Sequence, residues 1–506
     1  MPTSTHCLPS LLLSAQTNSP DTPVEPLYRQ IYTRLRLAIT QQVLKPGDRI
    51  PAARALAQEM GIARGTVEAA YGLLQAEGYV QTRGPAGTIV SLNLQLPARS
   101  RGETPTVSTV PAVSMLAEHA AHKPGMASNG STLPFQMGLP ALDSFPRKIW
   151  ARLAAQVIRA TGQEDMLYPP VEGLHSLRQE IATYLQVSRG VTCQPEQVFI
   201  TAGYRETLHL FCTALLKTQD QVWTEDPGYP ATAHVLTHAG MRAVAVAVDD
   251  EGLRVAQGIA LAPTARAAIV TPAHQSPMCV ALSLQRRLDL LEWAIRQQAW
   301  IIEDDYDGEY RYQSRPLPAL KSLDDAQRVL YAGTFSKVLF PGMRLAYLVV
   351  PPSQVPTFQT AARKVHSGAP LLTQKIVHQF MTQGHFARHL QRMRKLYGER
   401  RTHTANGLSK VLGNYLEIAP QPGGMHLILR LRKGLSDRAI AACMRVHGLA
   451  ANALSERTIG TSAAPALLLG FTNIDSQATA ERLAQMILRI LQETSHAEQI
   501  CSTQCT

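Results

Sequence analysis

Apolar positions recur along this chain with two different periods. From Leu27 they fall at helical spacing, with Ile31, Leu35 and Ala38-Ile39 on one face, until Lys45-Pro46-Gly47-Asp48 closes the stretch with a turn. A second helix is predicted around Leu56, Ala57 and Met60 and is broken by Gly61. A third covers Arg64 to Ala76, with Val67, Ala70, Tyr71 and Leu74 inward. Two short helices around a glycine turn make a helix-turn-helix, whose second helix fits a DNA major groove. Gly78 to Arg83, the turn Gly84-Pro85-Ala86-Gly87 and Thr88-Ile89-Val90 then predict a β-hairpin, the wing of a winged helix-turn-helix. A three-helix unit of this size is also a common structural bundle.

Further along, short apolar runs alternate with helical periods. Helices are predicted over Pro146 to Thr161 and Leu174 to Leu185. Strands follow at Val198-Thr201, Val222-Thr224, Val244-Val248, Ala268-Thr271, Trp300-Ile302, Val329-Tyr331 and Leu345-Val350, most with a helix between them. Such alternation predicts an α/β fold with a mostly parallel sheet covered by helices on both faces. Two more helical stretches, Ala361 to Thr382 and His385 to Leu408, lead to a smaller C-terminal α+β domain whose first strand opens after Gln421-Pro422-Gly423-Gly424-Met425-His426. Between the two patterned regions the periodicity lapses into Pro, Ser, Thr, Gly and Ala. The expected organisation is therefore a disordered leader at 1–24, a DNA-binding head at 25–93, a flexible linker at 94–132 and a body at 133–495.

Ligands in open α/β sheets collect beyond the carboxyl ends of the strands, and the unusual motifs here all lie there. After Val329-Leu330-Tyr331 come Thr334-Phe335-Ser336-Lys337 and Pro341-Gly342-Met343-Arg344. The lysine can form a Schiff base with an aldehyde cofactor, and Thr334, Ser336 and the Arg344 fork suit a phosphate. After Trp300-Ile301-Ile302 comes Glu303-Asp304-Asp305-Tyr306-Asp307, also the appearance of a solvated loop or metal site. Ahead of the lysine strand it offers Asp304 to a pyridinium nitrogen and Tyr306 to a ring oxygen, the requirements of pyridoxal 5'-phosphate. Thr201-Ala202-Gly203-Tyr204 leads into a helix, so Gly203 and Tyr204 lie where backbone N–H groups can cradle the phosphate.

These residues, Glu303 to Tyr310 and Gly333 to Lys337 with Pro341 to Arg344 behind them, resemble fold-type I pyridoxal phosphate proteins of the aminotransferase class. The form they resemble is that of MocR/GabR-type transcription regulators. The head is similar to GntR-type DNA-binding domains through Arg54-Ala55-Leu56-Ala57, Ala63-Arg64-Gly65-Thr66-Val67 and Ala76-Glu77-Gly78-Tyr79-Val80. The resemblance implies that Tyr229, in Glu225-Asp226-Pro227-Gly228-Tyr229-Pro230, stacks on the cofactor ring, and that the protein forms head-to-tail homodimers. Arg54, Arg64 and Thr66 sit at helix starts, where phosphates and base edges are met. The chain departs from its relatives at three places. Ala52, Ala53 and Ala63 replace helix-capping serines. Met278-Cys279 stands where relatives carry Thr-Gly or Ser-Gly, leaving open which of His274, Gln275 and Ser276 touches the cofactor. The last strand has no adjacent arginine for a substrate carboxylate, so Arg457 and Arg430 are the nearest candidates.

At 506 residues the chain exceeds one ordinary core. A net charge of +11 suits an anionic partner, although Pro26 to Asn93 holds only eight basic against four acidic residues. The denser basic run at Arg388 to Arg401 reads first as a solvated helix face and second as a DNA surface. Seven cysteines with no CxxC pair speak against a disulfide framework and against a metal site, and for a reducing compartment. No apolar run approaches a membrane span. A cytoplasmic transcription regulator is expected. Its partners are operator DNA and a small amine or amino-acid effector, and the alternative is an active aminotransferase with an accessory head.

Overall fold

The computed structural model describes residues 27–41, 43–77, 79–82, 87–91, 132–312, 318–365, 368–419, 421, 423–432, 435–460 and 464–503. The leader at 1–24, the linker except residue 132, and the wing tip at Gly84-Pro85-Ala86 lie outside them. The chain divides into two compact units, one within Met1–Glu118 and one within His119–Thr506.

The first unit contains helices Leu27–Thr40, Ala53–Glu59 and Arg64–Ala76 and the antiparallel pair β1 (Val80–Thr82) and β2 (Thr88–Val90), in register Gln81↔Ile89. Ile31, Leu35, Ile39, Leu56, Val67, Ala70 and Leu74 close its core. The two helices of the turn are preceded by Ala52 and Ala63 as N-caps, and neither cap makes a side-chain hydrogen bond. Each leaves first-turn N–H groups without the usual hydroxyl.

The second unit is built on an eight-stranded sheet of β3 (Val198–Thr201), β4 (Gln221–Asp226), β5 (Arg242–Asp249), β6 (Gly252–Leu253), β7 (Ala267–Val270), β8 (Trp300–Asp305), β9 (Val329–Thr334) and β10 (Ala346–Val349), in the order β3-β10-β9-β8-β7-β4-β5-β6. β4, β5, β7, β8 and β9 are parallel, whereas β10 runs antiparallel to both β9 and β3, and β6 antiparallel to β5. Every residue of β3, β7 and β10 is buried, as helices on both faces require. Because β10 is reversed, it enters the sheet at the edge where β3, β4, β7, β8 and β9 end. The segment before it, with Arg344, therefore joins the loops after those strands.

A second sheet, β11 (Leu416–Ile418), β12 (His426–Leu431), β13 (Asn452–Ala453) and β14 (Ala466–Gly470), is antiparallel throughout in the order β11-β12-β14-β13. It packs with helices Asp437–Val446 and Gln477–Thr503 as the smaller α+β lobe. The polar segment from Glu493 continues this last helix to Thr503. The single stretch expected over Ala361 to Thr382 is two helices, Val355–Val365 and Leu371–Thr382, the second starting after Pro370. The basic run on helix His385–Leu412 is largely committed within the fold. Arg394 donates to the Glu309 carbonyl at 2.7 Å, Arg401 to that of Gln421 at 2.7 Å, and Arg400 pairs with Asp143. Among the described residues no helix is long and apolar enough to cross a membrane.

Candidate cofactor and effector site

Strand alternation sorts the acidic run at the end of β8. Glu303 accepts from the backbone N–H groups of Leu320 and Lys321, both at 2.8 Å, and Asp305 binds Arg189 Nε and the Tyr331 hydroxyl, both at 2.6 Å. Glu309 accepts from Tyr184. Asp304 points to the opposite face, into a cavity of about 430 Å³ shared with Tyr204, Glu225, Tyr229, Ser276 and Arg457. No ion pair engages Asp304 among the described residues. Burial pushes its carboxyl up to about 8, the Tyr204 phenol pulls partly the other way, and the nearby carboxylates of Asp305, Glu225 and Asp307 add to the rise. A buried acid in this condition is suited to a cationic nitrogen.

Lys337 leaves β9 in the first turn of helix Phe335–Val338 and donates from Nζ to the Gly138 carbonyl at 2.7 Å. Desolvation lowers its proton affinity, opposed by the fields of Asp307 and Asp304. That favours the neutral amine that attacks an aldehyde. Gly138 has φ +69, and a Cβ there would press on the lysine amine. Gly203 is a second close approach: at φ +114 it precedes helix Tyr204–Leu215, and a Cβ on it would lie 2.8 Å from an Arg344 guanidinium nitrogen. Thr334 accepts from the Ser336 N–H at 3.1 Å. Arg344 and the start of helix Tyr204–Leu215 thus meet, a cation beside backbone N–H groups, the pairing that suits a phosphate. Tyr229 is 46% exposed at the cavity, its ring 6.0 Å from that of Tyr204.

Of the three residues left open in the loop after β7, only Ser276 lines the cavity. Gln275 fixes the loop by donating to Glu225, to the Pro227 carbonyl at 2.9 Å and to the Ser276 carbonyl. His274 Nδ1 lies 2.9 Å from Asp307 Oδ1 and 3.1 Å from the Tyr306 hydroxyl. Neither His274 nor Tyr306 lines the cavity. Cys279 adopts φ +60, the left-handed conformation that a glycine would take more easily.

The two arginine candidates separate. Arg430 is exposed on β12, opposite Glu417 and Ala466, and does not line the cavity. Arg457 does; burial lowers its proton affinity, and among the described residues its guanidinium makes one hydrogen bond, a 3.8 Å contact to the Met137 thioether. Asp226 brings it there, accepting from the N–H groups of Ile459 and Gly460 at 2.8 Å each, while the Gly228 N–H donates to the Arg457 carbonyl at 3.1 Å. Sequence reasoning missed this tie, and also Gly138 and the Glu206 carboxylate that accepts from the Ala202 N–H. Asp226 was visible within its motif, but its partners were too distant in sequence to be inferred. In the head, Arg54 is exposed and Arg64 is exposed with Nε 2.7 Å from Glu68, while Thr66 is partly buried in the same first turn.

Fold and site together define a helix-turn-helix head on an aminotransferase-like body. Residues 138–492 match the model of aminotransferase classes I and II, and residues 27–90 that of the bacterial regulatory proteins of the gntR family. The chain belongs to the aminotransferase class I and II family, in the branch of MocR-type regulators that carry a GntR head. It is 34% identical to the probable rhizopine catabolism regulatory protein MocR of Rhizobium meliloti, over 90% of this chain and 92% of that one. It is 31% identical to the pyridoxine biosynthesis transcriptional regulator PdxR of Corynebacterium glutamicum, over 90% and 94%. Among solved structures it resembles LysN, an α-aminoadipate aminotransferase of Thermus thermophilus crystallised with N-(5'-phosphopyridoxyl)-L-leucine, with TM-score 0.64 and 27% identity over 71% of this chain and 92% of that one. The protein is a helix-turn-helix transcription regulator with an aminotransferase-like domain, and its GntR head implies DNA binding.

Proposed function

We propose that this regulator holds pyridoxal 5'-phosphate at Lys337 and responds to an amino compound that carries a carboxylate. Bound there, the cofactor supplies an aldehyde carbon that an incoming amine can take over from the lysine. The chain's own residues supply the rest. Asp304 holds the ring nitrogen protonated, Tyr306 donates to the ring oxygen, Tyr229 covers the ring, and Gly203, Tyr204, Thr334, Ser336 and Arg344 bind the phosphate. Arg457 receives the effector's carboxylate. Head residues Arg54, Arg64 and Thr66 meet operator DNA, and two half-sites are read by a head-to-tail homodimer in the cytoplasm.

The observation that carries this proposal is a buried carboxylate without a cation, Asp304, at the same sheet edge as a half-buried lysine of lowered basicity. The purified protein is expected to show a visible absorbance band that amino acids shift and that borohydride fixes to residue 337. Lys337→Ala should lose the band and the ligand response while retaining DNA binding. A wild-type protein that never acquires the band when supplied with the cofactor would sink the proposal. Steady turnover of an amino acid by the intact protein would instead favour the enzyme alternative.

A further inference from the structure

Helix Arg147–Arg159 carries four basic residues and no acidic one. It buries Leu153 and Val157 and leaves Lys148, Arg152 and Arg159 exposed along one stripe. The first half of helix His385–Leu412 does the same with Arg388, Arg392 and Lys395, and Glu399 is the one acid on that helix. The two stripes are held together. Arg392 donates to the Ser144 carbonyl, just ahead of the first helix, and beneath them the Phe145 ring lies 5.7 Å from that of His389 and the Trp150 ring 5.7 Å from that of Phe380. Both stripes act on His385, whose proton affinity is lowered by desolvation and then by the charges of Arg388 and Arg152. None of the six cations forms an ion pair among the described residues. Arg388 donates to the Gln383 carbonyl at 2.9 Å and Arg392 to that of Ser144, acceptors that hold a guanidinium without cancelling its charge. Asp143, at the edge of this face, is taken by Arg400.

A solvated helix face ordinarily mixes the two signs. Here Lys148 stands four residues before Arg152, and Arg388 four before Arg392. Like charges at that spacing destabilise a helix, and an anion from outside relieves them. We propose that this face binds the sugar-phosphate backbone of duplex DNA, a sequence-independent contact additional to that of the head. The proposal rests on the DNA binding that the GntR head implies and is independent of the cofactor. The charge balance agrees: Pro26 to Asn93, with eight basic and four acidic residues, holds four of the eleven net positive charges, so most of the excess lies elsewhere. Each stripe is also long enough to meet several phosphates. At 1.5 Å per residue, Arg388 to Lys395 spans about 10 Å and Lys148 to Arg159 about 16 Å, while duplex DNA carries one charge every ~1.7 Å of its axis.

The test is the salt dependence of binding to a long duplex of mixed sequence, read by fluorescence anisotropy with the full-length protein. Each phosphate contact contributes about 0.9 to the slope of log affinity against log salt. Two double variants, Lys148→Gln with Arg152→Gln and Arg388→Gln with Lys395→Gln, are each expected to lower that slope by about two and to weaken binding at low salt. All four side chains are exposed, so the substitutions spare the core, and the two pairs test the face independently. The control removes the same charge elsewhere. Arg242→Gln with Arg266→Gln, exposed at the start of β5 and just ahead of β7, should leave the slope unchanged. Wild-type slopes in both patch variants would overturn the proposal and leave the face to an acidic protein. An equal loss in the control would overturn it too, since that marks net charge alone. A wild-type protein that binds no DNA at any salt refutes the reading of the head as well, a distinguishable result.

Discussion

Replacing Asp304 by Asn should have opposite effects on the protein without cofactor and on its hold of the cofactor. Folded, the Asp304 carboxyl titrates near 8 rather than at its ordinary 3.8. The unfolded chain therefore releases this proton at lower pH than the folded one. Stability is lost as pH rises from about 4 toward 8, at up to about 1.4 kcal/mol per pH unit. Water reaches Asp304 through the cavity it lines. Discounted for that, the penalty at pH 8 is on the order of 2–4 kcal/mol. Asparagine has nearly the same shape and its cost does not depend on pH. In urea melts of protein stripped of cofactor, Asp304→Asn should gain on wild type steadily between pH 5 and pH 8. The cofactor's ring cation needs the ionised carboxylate, so the same variant should bind it about 10- to 100-fold more weakly, the loss of one charged hydrogen bond of roughly 1.5–3 kcal/mol. Equal stability differences at pH 5 and pH 8, or undiminished cofactor affinity, would refute the reasoning.

Arg457→Gln should leave the visible band in place but raise the amino-acid concentration that half-shifts it by about 10- to 100-fold, measured by absorbance titration. Arg64→Ala should weaken binding to operator DNA and reduce the salt slope by about one, read from mobility shifts across a salt series. Ala63→Ser should supply the missing helix cap and stabilise the head by about 1 kcal/mol in thermal unfolding, with no effect on the visible band.

Much of this fold was legible because its signals are local. Buried strands such as β3 and β7 read as unbroken apolar runs, and the head's three helices each show one inward stripe. The reversal of β10 had a local sign as well. Residues 335–345 between β9 and β10 fall short of roughly a dozen that a parallel crossover needs. Asp304 and Lys337 could be placed because strand ends determine their position. Arg457 was harder: it arrives on a loop of the smaller lobe, held by Asp226 across more than two hundred residues of sequence. His274 and Tyr306 lie in adjacent motifs, yet a sequence does not say that the two side chains meet. Cys279 was legible only as a departure, since its partner His426 lies 147 residues further along the chain.

Those long-range ties bear on how a small ligand could act at all. The Arg457 loop is held to the end of β4 and the turn after it by three hydrogen bonds, two from the Ile459 and Gly460 N–H groups to the Asp226 carboxylate and one from the Gly228 N–H to the Arg457 carbonyl. His426 and Gly424 of the smaller lobe meet the loop after β7. At roughly 1.5–3 kcal/mol for each bond to the carboxylate and about 1 kcal/mol for the neutral one, the three contribute about 4–7 kcal/mol. A carboxylate on Arg457 contributes roughly 1.5–3 kcal/mol, a substantial fraction of that. A ligand shifts a conformational equilibrium only by its difference in affinity between the two states. Engagement of Arg457 is therefore large enough to shift, though not by itself to outweigh, the tie that joins the two lobes at this loop. A ligand that exchanges with the lysine but lacks a carboxylate should change the absorbance and leave that equilibrium where it was.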